Sequence, residues 1–151
     1  MRATLSGSLA STHSLQSEFD RLRDYLELMA VRMGPRLHYT LDLPPDLAAQ
    51  PVPPLLLQPL VENSIKHGLE PKVEGGSVRV SARREGSAVV LEVIDTGVGL
   101  AIEPESATGF GLTQVRERLN TTYGSLSAIS LVANSAGGTS ASITFPFEKE
   151  K

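Results

Sequence analysis

The stretch VIDTGVG, residues 93–99, closes an apolar run with one acid and two alternating glycines. The run before Asp95 carries apolar side chains on both of its alternating faces. They are Val89, Leu91 and Val93 on one side and Val90 and Ile94 on the other. Because a strand covered on both faces lies inside a sheet, we predict a central strand that ends with Asp95 at the mouth of the fold. Gly97 and Gly99 leave room there for a flat group against the backbone.

The carboxylate of Asp95 is compatible with more than one function. It accepts hydrogen bonds only, so it can bind the exocyclic amine of adenine, which guanine does not offer at that position. Asp-Thr-Gly also begins the half-site of a dimeric aspartic protease, in which two carboxylates split water. A surface turn built from Asp and Gly is the third interpretation.

The composition indicates one ordinary globular domain. The chain has 151 residues, of which 40% are hydrophobic and 21% charged. The net charge of -3 gives no reason to expect nucleic-acid binding. The absence of cysteine excludes a disulfide scaffold and thiolate metal sites. No apolar run approaches the ~20 residues that a membrane span requires.

The order of elements favours an α+β fold. Residues 1–14 are rich in Ser and Thr and are predicted to be a linker, with the domain over residues 15–151. A helix with one narrow apolar seam follows and ends at Gly34, and a dimer-forming coil is the alternative use of this seam. The seam consists of Leu15, Phe19, Leu22, Leu26, Met29 and Met33.

The spacing of apolar residues and the positions of glycine and proline predict the remaining helices and strands. Residues 36–43 read as a strand and residues 44–54 as a loop, and a helix opens at Pro53 and closes before Gly68. Two strands, 77–85 and 88–95, flank a turn, and a helix follows the glycine-rich segment 97–111. The last part, residues 126–147, reads as two strands around a turn at 134–138, with Ala141, Ile143, Phe145 and Phe147 pointing inward.

The helix LLLQPLVENSIKHG, residues 55–68, has two distinct faces. Its buried stripe consists of Leu56, Leu57, Leu60, Val61 and Ser64. Glu62, Asn63, Lys66 and His67 lie on another face, paired four residues apart. Asn63 is a mediocre helix former, and its amide oxygen beside a lysine suits Mg²⁺ and phosphate. A solvated face with one ion pair explains the same residues.

A second glycine pair occurs in TGFGLTQVRERL, residues 108–119. Gly109 and Gly111 stand immediately before a predicted helix, whose free N–H groups and dipole favour phosphate. Neither glycine pair is a dinucleotide fingerprint, because Ile102 occupies the position of the third glycine after Gly97 and Gly99.

The order of these motifs resembles a known family. An Asn-bearing helix, a strand ending in Asp-x-Gly-x-Gly, a Gly-x-Gly helix start and a Gly-Thr strand start follow one another. The chain resembles the ATP-binding catalytic domain of sensor histidine kinases, in the superfamily shared with gyrase B, Hsp90 and MutL. LQPLVENSIKHG and GFGLTQVRERL are close to the autolysin-sensor (LytS-like) class. The resemblance implies a two-layer α/β sandwich of the Bergerat type, with a mixed sheet and helices on one face.

The same resemblance implies roles for individual residues. Asn63 would bind Mg²⁺, and Lys66 and His67 would line the phosphates of ATP. Asp95 would bind the adenine amine, with Gly97 and Gly99 under the base and Thr139 joined to Asp95 through a water. Residues 100–108 would form a lid, which Gly109, Gly111 and Leu112 would close against the phosphates.

Two departures from the superfamily qualify this picture. Pro59 occupies the position where ATP-hydrolysing members carry a glutamate, so efficient hydrolysis is not expected. None of the histidines (His13, His38 and His67) lies in an Asn-Pro-His-Phe-like motif. The phosphoacceptor histidine is therefore expected on a preceding dimerisation domain of a longer parent protein.

The resemblance implies a protein-histidine kinase that uses ATP and Mg²⁺ in a two-component phosphorelay. Its partners would be the dimerisation domain of its own, homodimeric parent and a downstream response regulator. The domain would lie in the cytoplasm, with the parent anchored in the inner membrane. The alternatives are an ATP-binding scaffold without transferase activity and a conformational ATPase of the gyrase or Hsp90 kind. An aspartic protease would be a dimer of small, nearly all-β chains, which disagrees with the predicted helices.

Overall fold

Five strands form one sheet in the computed structural model, which describes residues 12–69, 72–97, 109–133 and 137–147. The strands are β2 (Leu37–Asp42), β4 (Gly76–Glu85), β5 (Ala88–Asp95), β6 (Ala128–Ala133) and β7 (Thr139–Pro146). Their order across the sheet is β2-β4-β5-β7-β6. β2 and β4 are parallel, whereas the other neighbours are antiparallel. The sheet is therefore mixed, as predicted.

Among the residues that the structure describes, three α-helices cover one face of this sheet. They are α1 (Leu15–Met33), α2 (Gln58–Asn63) and α3 (Gly109–Tyr123). Short 3₁₀ turns occur at Gly34–Arg36, Pro45–Leu47 and Gly124–Leu126. No helix in the described ranges is long and apolar enough to cross a membrane. The predicted α+β architecture with helices on one face is confirmed.

The seam of α1 packs on the chain's own core. All six predicted seam residues are buried, with at most 6% of their surface exposed. The helix ends at Gly34, which has a φ of +65° and donates its N–H to the carbonyl oxygen of Ala30. Because the seam is covered within one chain, it is not free to form the alternative dimeric coil.

β5 is the central strand, as its two apolar faces predicted. Val89, Leu91 and Val93 are at most 1% exposed, and Val90 is also buried. β4 and β5 form an antiparallel hairpin around the predicted turn, with Glu85 opposite Ala88. The strand next to β5 on its other side is β7, so Asp95 lies opposite Thr139.

The start of α2 differs from the prediction. The helix begins at Gln58 rather than at Pro53, because the preceding residues take another course. Pro51–Val52 forms a short strand, β3, and Leu55 has a left-handed φ of +61° that interrupts any helix there. The C-terminal boundary also differs: a π-helical segment, Ser64–Leu69, continues α2 through Gly68.

Two further boundaries differ. His13–Ser14 forms a short strand, β1, that pairs with β3. The linker predicted over residues 1–14 thus overlaps the folded unit at its last two residues, while residues 1–11 lie outside the described part. α3 begins at Gly109, so Gly109 and Gly111 belong to its first turn and do not precede it.

Candidate functional site

Asp95 lies where α2 meets the ends of β5 and β7. Its side chain is buried, with 3% of the residue exposed. One carboxylate oxygen, Oδ1, accepts a hydrogen bond of 2.9 Å from the backbone N–H of Gly97. The hydroxyl of Ser64 and the backbone of Thr139 also hydrogen-bond to this carboxylate. The acid is therefore held by the turn that follows its own strand and by two other segments of the chain.

The electrostatics of Asp95 combine two opposing influences. Burial raises the pKa of this carboxyl above its ordinary value. The hydrogen bonds from Gly97, Ser64 and Thr139 and the charge of Lys72 lower the pKa but do not cancel the effect of burial. A buried carboxylate is stabilised by a hydrogen-bond donor that replaces the water it has lost. The exocyclic amine of adenine is such a donor.

The backbone around Asp95 is closely packed. Gly138 has a φ of +93°, and a Cβ added there would lie 1.9 Å from the carbonyl oxygen of Asp95. Thr96 exchanges a pair of 3.0 Å hydrogen bonds with Ser77, through its own N–H and its Oγ1. Lys72 donates from Nζ to the carbonyl oxygen of Thr96 at 2.8 Å. These contacts fix the chain that turns away from Asp95.

Asn63 lies on α2, directly before the residue that contacts Asp95. Its amide nitrogen, Nδ2, is buried and has no hydrogen-bond partner among the described residues. Because Ser64 bonds to the carboxylate of Asp95, the helix that carries Asn63 and the strand end that carries Asp95 meet in one region. The two groups predicted to bind opposite ends of one ligand thus belong to adjoining elements.

The polar residues predicted to share one face of a single α-helix are divided between α2 and the π-helical segment that follows it. Lys66 is exposed, and it lies with His67 in the π-helical segment, where hydrogen bonds run five residues apart. Glu62 accepts a 3.0 Å hydrogen bond from Nε2 of Gln58, one turn earlier in the helix. The side chain of His67 lies outside what the structure describes. Single-turn π segments inside α-helices occur frequently at functional sites.

The second glycine pair occupies the N-terminal turn of α3. Gly109, Gly111 and Leu112 belong to this helix, which packs against α2. The helix start supplies backbone N–H groups without partners inside the helix. Gly99 and the predicted lid, residues 100–108, lie outside the described residues.

The residues present fit a magnesium nucleotide. Mg²⁺ is usually held by one or two protein oxygen ligands together with phosphates and waters. The described residues contain no cluster of three or more His, Asp or Glu side chains that could form a complete protein cage. The amide of Asn63, whose Nδ2 has no partner among the described residues, offers Oδ1 to a metal and Nδ2 to a phosphate oxygen.

Two contacting residues were not predicted as part of the site. Ser64 was assigned to the buried stripe of its helix, yet its hydroxyl binds Asp95. A hydroxyl in an otherwise apolar stripe is the signal that could have identified it, since a buried hydroxyl requires a partner. Lys72 gave no such signal, because its contact with Thr96 depends on the tertiary fold.

This arrangement is an α/β sandwich, in which helices cover one face of a mixed five-stranded sheet. Residues 53–149 match the family described as "Histidine kinase-, DNA gyrase B-, and HSP90-like ATPase". The chain belongs to this family, and the resemblance drawn from the motifs is confirmed.

The curated relatives are sensor kinases. The chain is 34% identical over 137 residues to the sensor histidine kinase BtsS of Escherichia coli, covering 91% of this chain and 24% of that protein. It is 32% identical to the sensor histidine kinase YesM of Bacillus subtilis, with the same coverage. It is 28% identical to the sensor protein LytS of Enterococcus faecalis, covering 99% of this chain and 27% of that protein. The chain thus spans about a quarter of the length of these relatives.

Solved structures share the fold. The histidine kinase domain of the blue-light activated kinase from Erythrobacter litoralis EL346 matches 88% of this chain and 61% of that chain, with a TM-score of 0.68 and 16% identity. Full-length ShkA, solved in complex with AMPPNP, matches 93% of this chain and 32% of that chain, with a TM-score of 0.63 and 21% identity.

Proposed function

We propose that this chain binds Mg-ATP and, in a longer parent protein, transfers the γ-phosphoryl group to a histidine of the dimerisation domain. The observation that carries the proposal is the hydrogen bond between Ser64 and Asp95. It joins the helix of Asn63 to a buried acid at the end of the central strand. An acceptor suited to adenine and an amide suited to the metal therefore adjoin one site.

The adenine end of the site is assigned to Asp95 and its surroundings. The carboxylate accepts the exocyclic amine, while its contacts with Gly97 and Ser64 hold it in place. Gly97 and Gly99 are assigned to the space under the base because they lack side chains. Thr139, opposite Asp95 in the β5–β7 pairing, completes this end through a water.

The phosphate end is assigned to α2 and α3. Asn63 binds Mg²⁺, which when bound neutralises the charge of the β- and γ-phosphates. Lys66 and His67 orient the phosphates as the catalytic residues. Gly109, Gly111 and Leu112 direct the backbone N–H groups at the start of α3 towards them. Catalysis consists mostly of positioning and charge neutralisation.

The acceptor and the further partners belong to the parent protein. A bond forms from phosphorus to the acceptor imidazole while the bond to the leaving ADP oxygen breaks. The phosphoryl group then passes to an aspartate of a response regulator. The parent works as a homodimer anchored in the inner membrane, with this domain in the cytoplasm. The names of the sensor histidine kinase relatives support the phosphorylation of a histidine.

A titration calorimeter tests the nucleotide site. The unmodified chain is titrated with ATP, ADP and GTP, with and without Mg²⁺, and is expected to bind adenine nucleotides more tightly than GTP. Asp95→Asn is expected to lose about 10–150-fold in affinity for ATP, because a hydrogen bond to a charged group contributes about 1.5–3 kcal/mol. Asn63→Ala is expected to lose the Mg²⁺-dependent part of the affinity while it still prefers ATP over GTP. If both variants bind ATP like the parent, the site is misplaced.

A supplied dimerisation domain separates the kinase from its alternatives. A kinase transfers labelled γ-phosphate to the acceptor histidine of that domain. A scaffold binds ATP without any transfer, and a conformational ATPase releases phosphate steadily without an acceptor. Pro59 carries no ionisable group at the position where hydrolysing members have a glutamate, so steady phosphate release is not expected.

A further inference from the structure

The N-terminal end of α1 is bonded to the loop that leads into α2. The N–H of Leu15 donates to the carbonyl oxygen of Gln50 at 2.8 Å, and the N–H of Gln16 donates to that of Ala48 at 2.9 Å. These are N–H groups of a first helical turn, which have no partners within their own helix. The loop before α2 therefore satisfies the start of α1.

Glu18, one turn into α1, adds a buried carboxylate to this junction. It is 1% exposed. Oε1 lies 2.7 Å from Nε2 of His13 on β1, and Oε2 accepts a 2.7 Å hydrogen bond from the backbone N–H of Leu57. A buried carboxylate is costly unless such partners satisfy it. Its two oxygens thus connect the incoming chain at His13 to Leu57, the residue immediately before α2.

Leu57 needs this contact because its helix has no side-chain cap of its own. Its carbonyl oxygen accepts the N–H groups of Leu60 and Val61 at 3.0 Å each, which begins the helix. Just before it, Leu55 has a left-handed φ of +61°, a conformation that persists only where the surroundings hold it. From Leu57 to Asn63 the helix rises about 9 Å. An anchor at Leu57 therefore fixes the end of a short rigid rod that carries Asn63.

We propose that Glu18 is a positioning residue for the magnesium–phosphate end of the nucleotide site and couples that end to the incoming segment at His13. The inference rests on the proposed function, because it assigns a controlling contact to the same site. Loss of the Glu18–Leu57 bond leaves a buried N–H without a partner and frees the start of α2. Asn63 then loses its fixed position, whereas the adenine contact of Asp95 on β5 is retained.

Two variants of similar size isolate this contact. Glu18→Gln keeps an oxygen that accepts the N–H of Leu57, whereas Glu18→Met fills the same volume without an acceptor. Glu27→Gln, at an exposed position of the same helix, is the matched control. Each variant is titrated with ATP and GTP, with and without Mg²⁺, and its folding is checked by urea unfolding.

Glu18→Met is expected to lose roughly tenfold of the Mg²⁺-dependent gain in ATP affinity and to keep its preference for ATP over GTP. Glu18→Gln is expected to keep most of this gain. Glu27→Gln is expected to have the same Mg²⁺-dependent gain as the unmodified chain. The inference is overturned if Glu18→Met folds and gains as much ATP affinity from Mg²⁺ as the unmodified chain does. It is also overturned if Glu18→Met loses its preference for ATP over GTP to the same extent as it loses the Mg²⁺-dependent gain. If Glu18→Met does not fold, His13→Ala is measured, and an unchanged gain in that variant also overturns it. If the unmodified chain binds no ATP, the result contradicts the proposed function and not this inference.

Discussion

Replacing Gly138 with alanine tests whether its close contact with the backbone of Asp95 maintains the proposed nucleotide site. The added Cβ would lie 1.9 Å from the carbonyl oxygen of Asp95, whereas real Cβ atoms essentially never approach other atoms within 3.0 Å. The start of β7 and the end of β5 would therefore have to separate by about 1.1 Å. Both partners are backbone, so no flexible side chain can absorb the shift.

Two energies contribute to the expected effect. A left-handed φ costs an alanine about 1–2 kcal/mol relative to glycine. Forcing extra volume into packed structure costs about 1–3 kcal/mol more. We expect Gly138→Ala to lose roughly 2–5 kcal/mol of a total stability that is typically about 5–15 kcal/mol. Because the separation also moves the carboxylate of Asp95, ATP affinity should fall by at least about tenfold, the equivalent of one hydrogen bond.

The neighbouring glycine provides the control. Gly137 has a φ of +104°, and an added Cβ there would meet nothing within 4 Å. Gly137→Ala should therefore lose only the conformational cost of about 1–2 kcal/mol and keep its ATP affinity. Urea unfolding and calorimetric titration measure the two quantities. Equal losses of stability and equal ATP affinities in the two variants would refute the reasoning.

Three further predictions concern Asp95 and the acceptor. Because the pKa of Asp95 is raised in the folded state, the stability of the unmodified chain relative to Asp95→Asn should fall as pH rises from about 4 through the folded pKa, by at most about 1.4 kcal/mol per pH unit. Urea unfolding measures this difference, and an increase in the relative stability over that pH range would contradict the prediction. Ser64→Ala should lose about 1.5–3 kcal/mol of unfolding free energy, whereas Ser64→Thr, which keeps a hydroxyl, should lose less; parent-like stability of the alanine variant would show that the hydrogen bond to Asp95 is unimportant. The chain alone should incorporate no γ-phosphate from labelled ATP, and an acid-labile, base-stable label on it would disprove the assignment of the acceptor to another domain.

Local periodicity was sufficient to predict much of the fold. The seam of α1 repeats at helical spacing, and the two apolar faces of β5 could be satisfied only inside a sheet. The hairpin turn between β4 and β5 contains a glycine at the expected place, Gly86, with a positive φ. Each of these features depends on residues close in sequence.

The departures depend on contacts between distant residues. Pro53 is compatible with a helix start, but the pairing of Pro51–Val52 with His13–Ser14 takes the chain elsewhere. The N–H of Leu57, just before α2, donates to Glu18, which lies 39 positions earlier in the chain. The partner of the Ser64 hydroxyl likewise lies on another element, so no local pattern could name it.

The strand β1 has a practical consequence for shortened versions of this protein. Composition alone suggests trimming the chain at Leu15, where the Ser- and Thr-rich stretch gives way to a helix. Such a cut would remove Ser14, whose hydroxyl accepts the N–H of Ser17 and whose loss as a helix cap costs about 0.5–2 kcal/mol. It would also delete His13, the neighbour of a buried acid. Fragments meant for crystallisation or ligand screening should therefore retain His13 and Ser14.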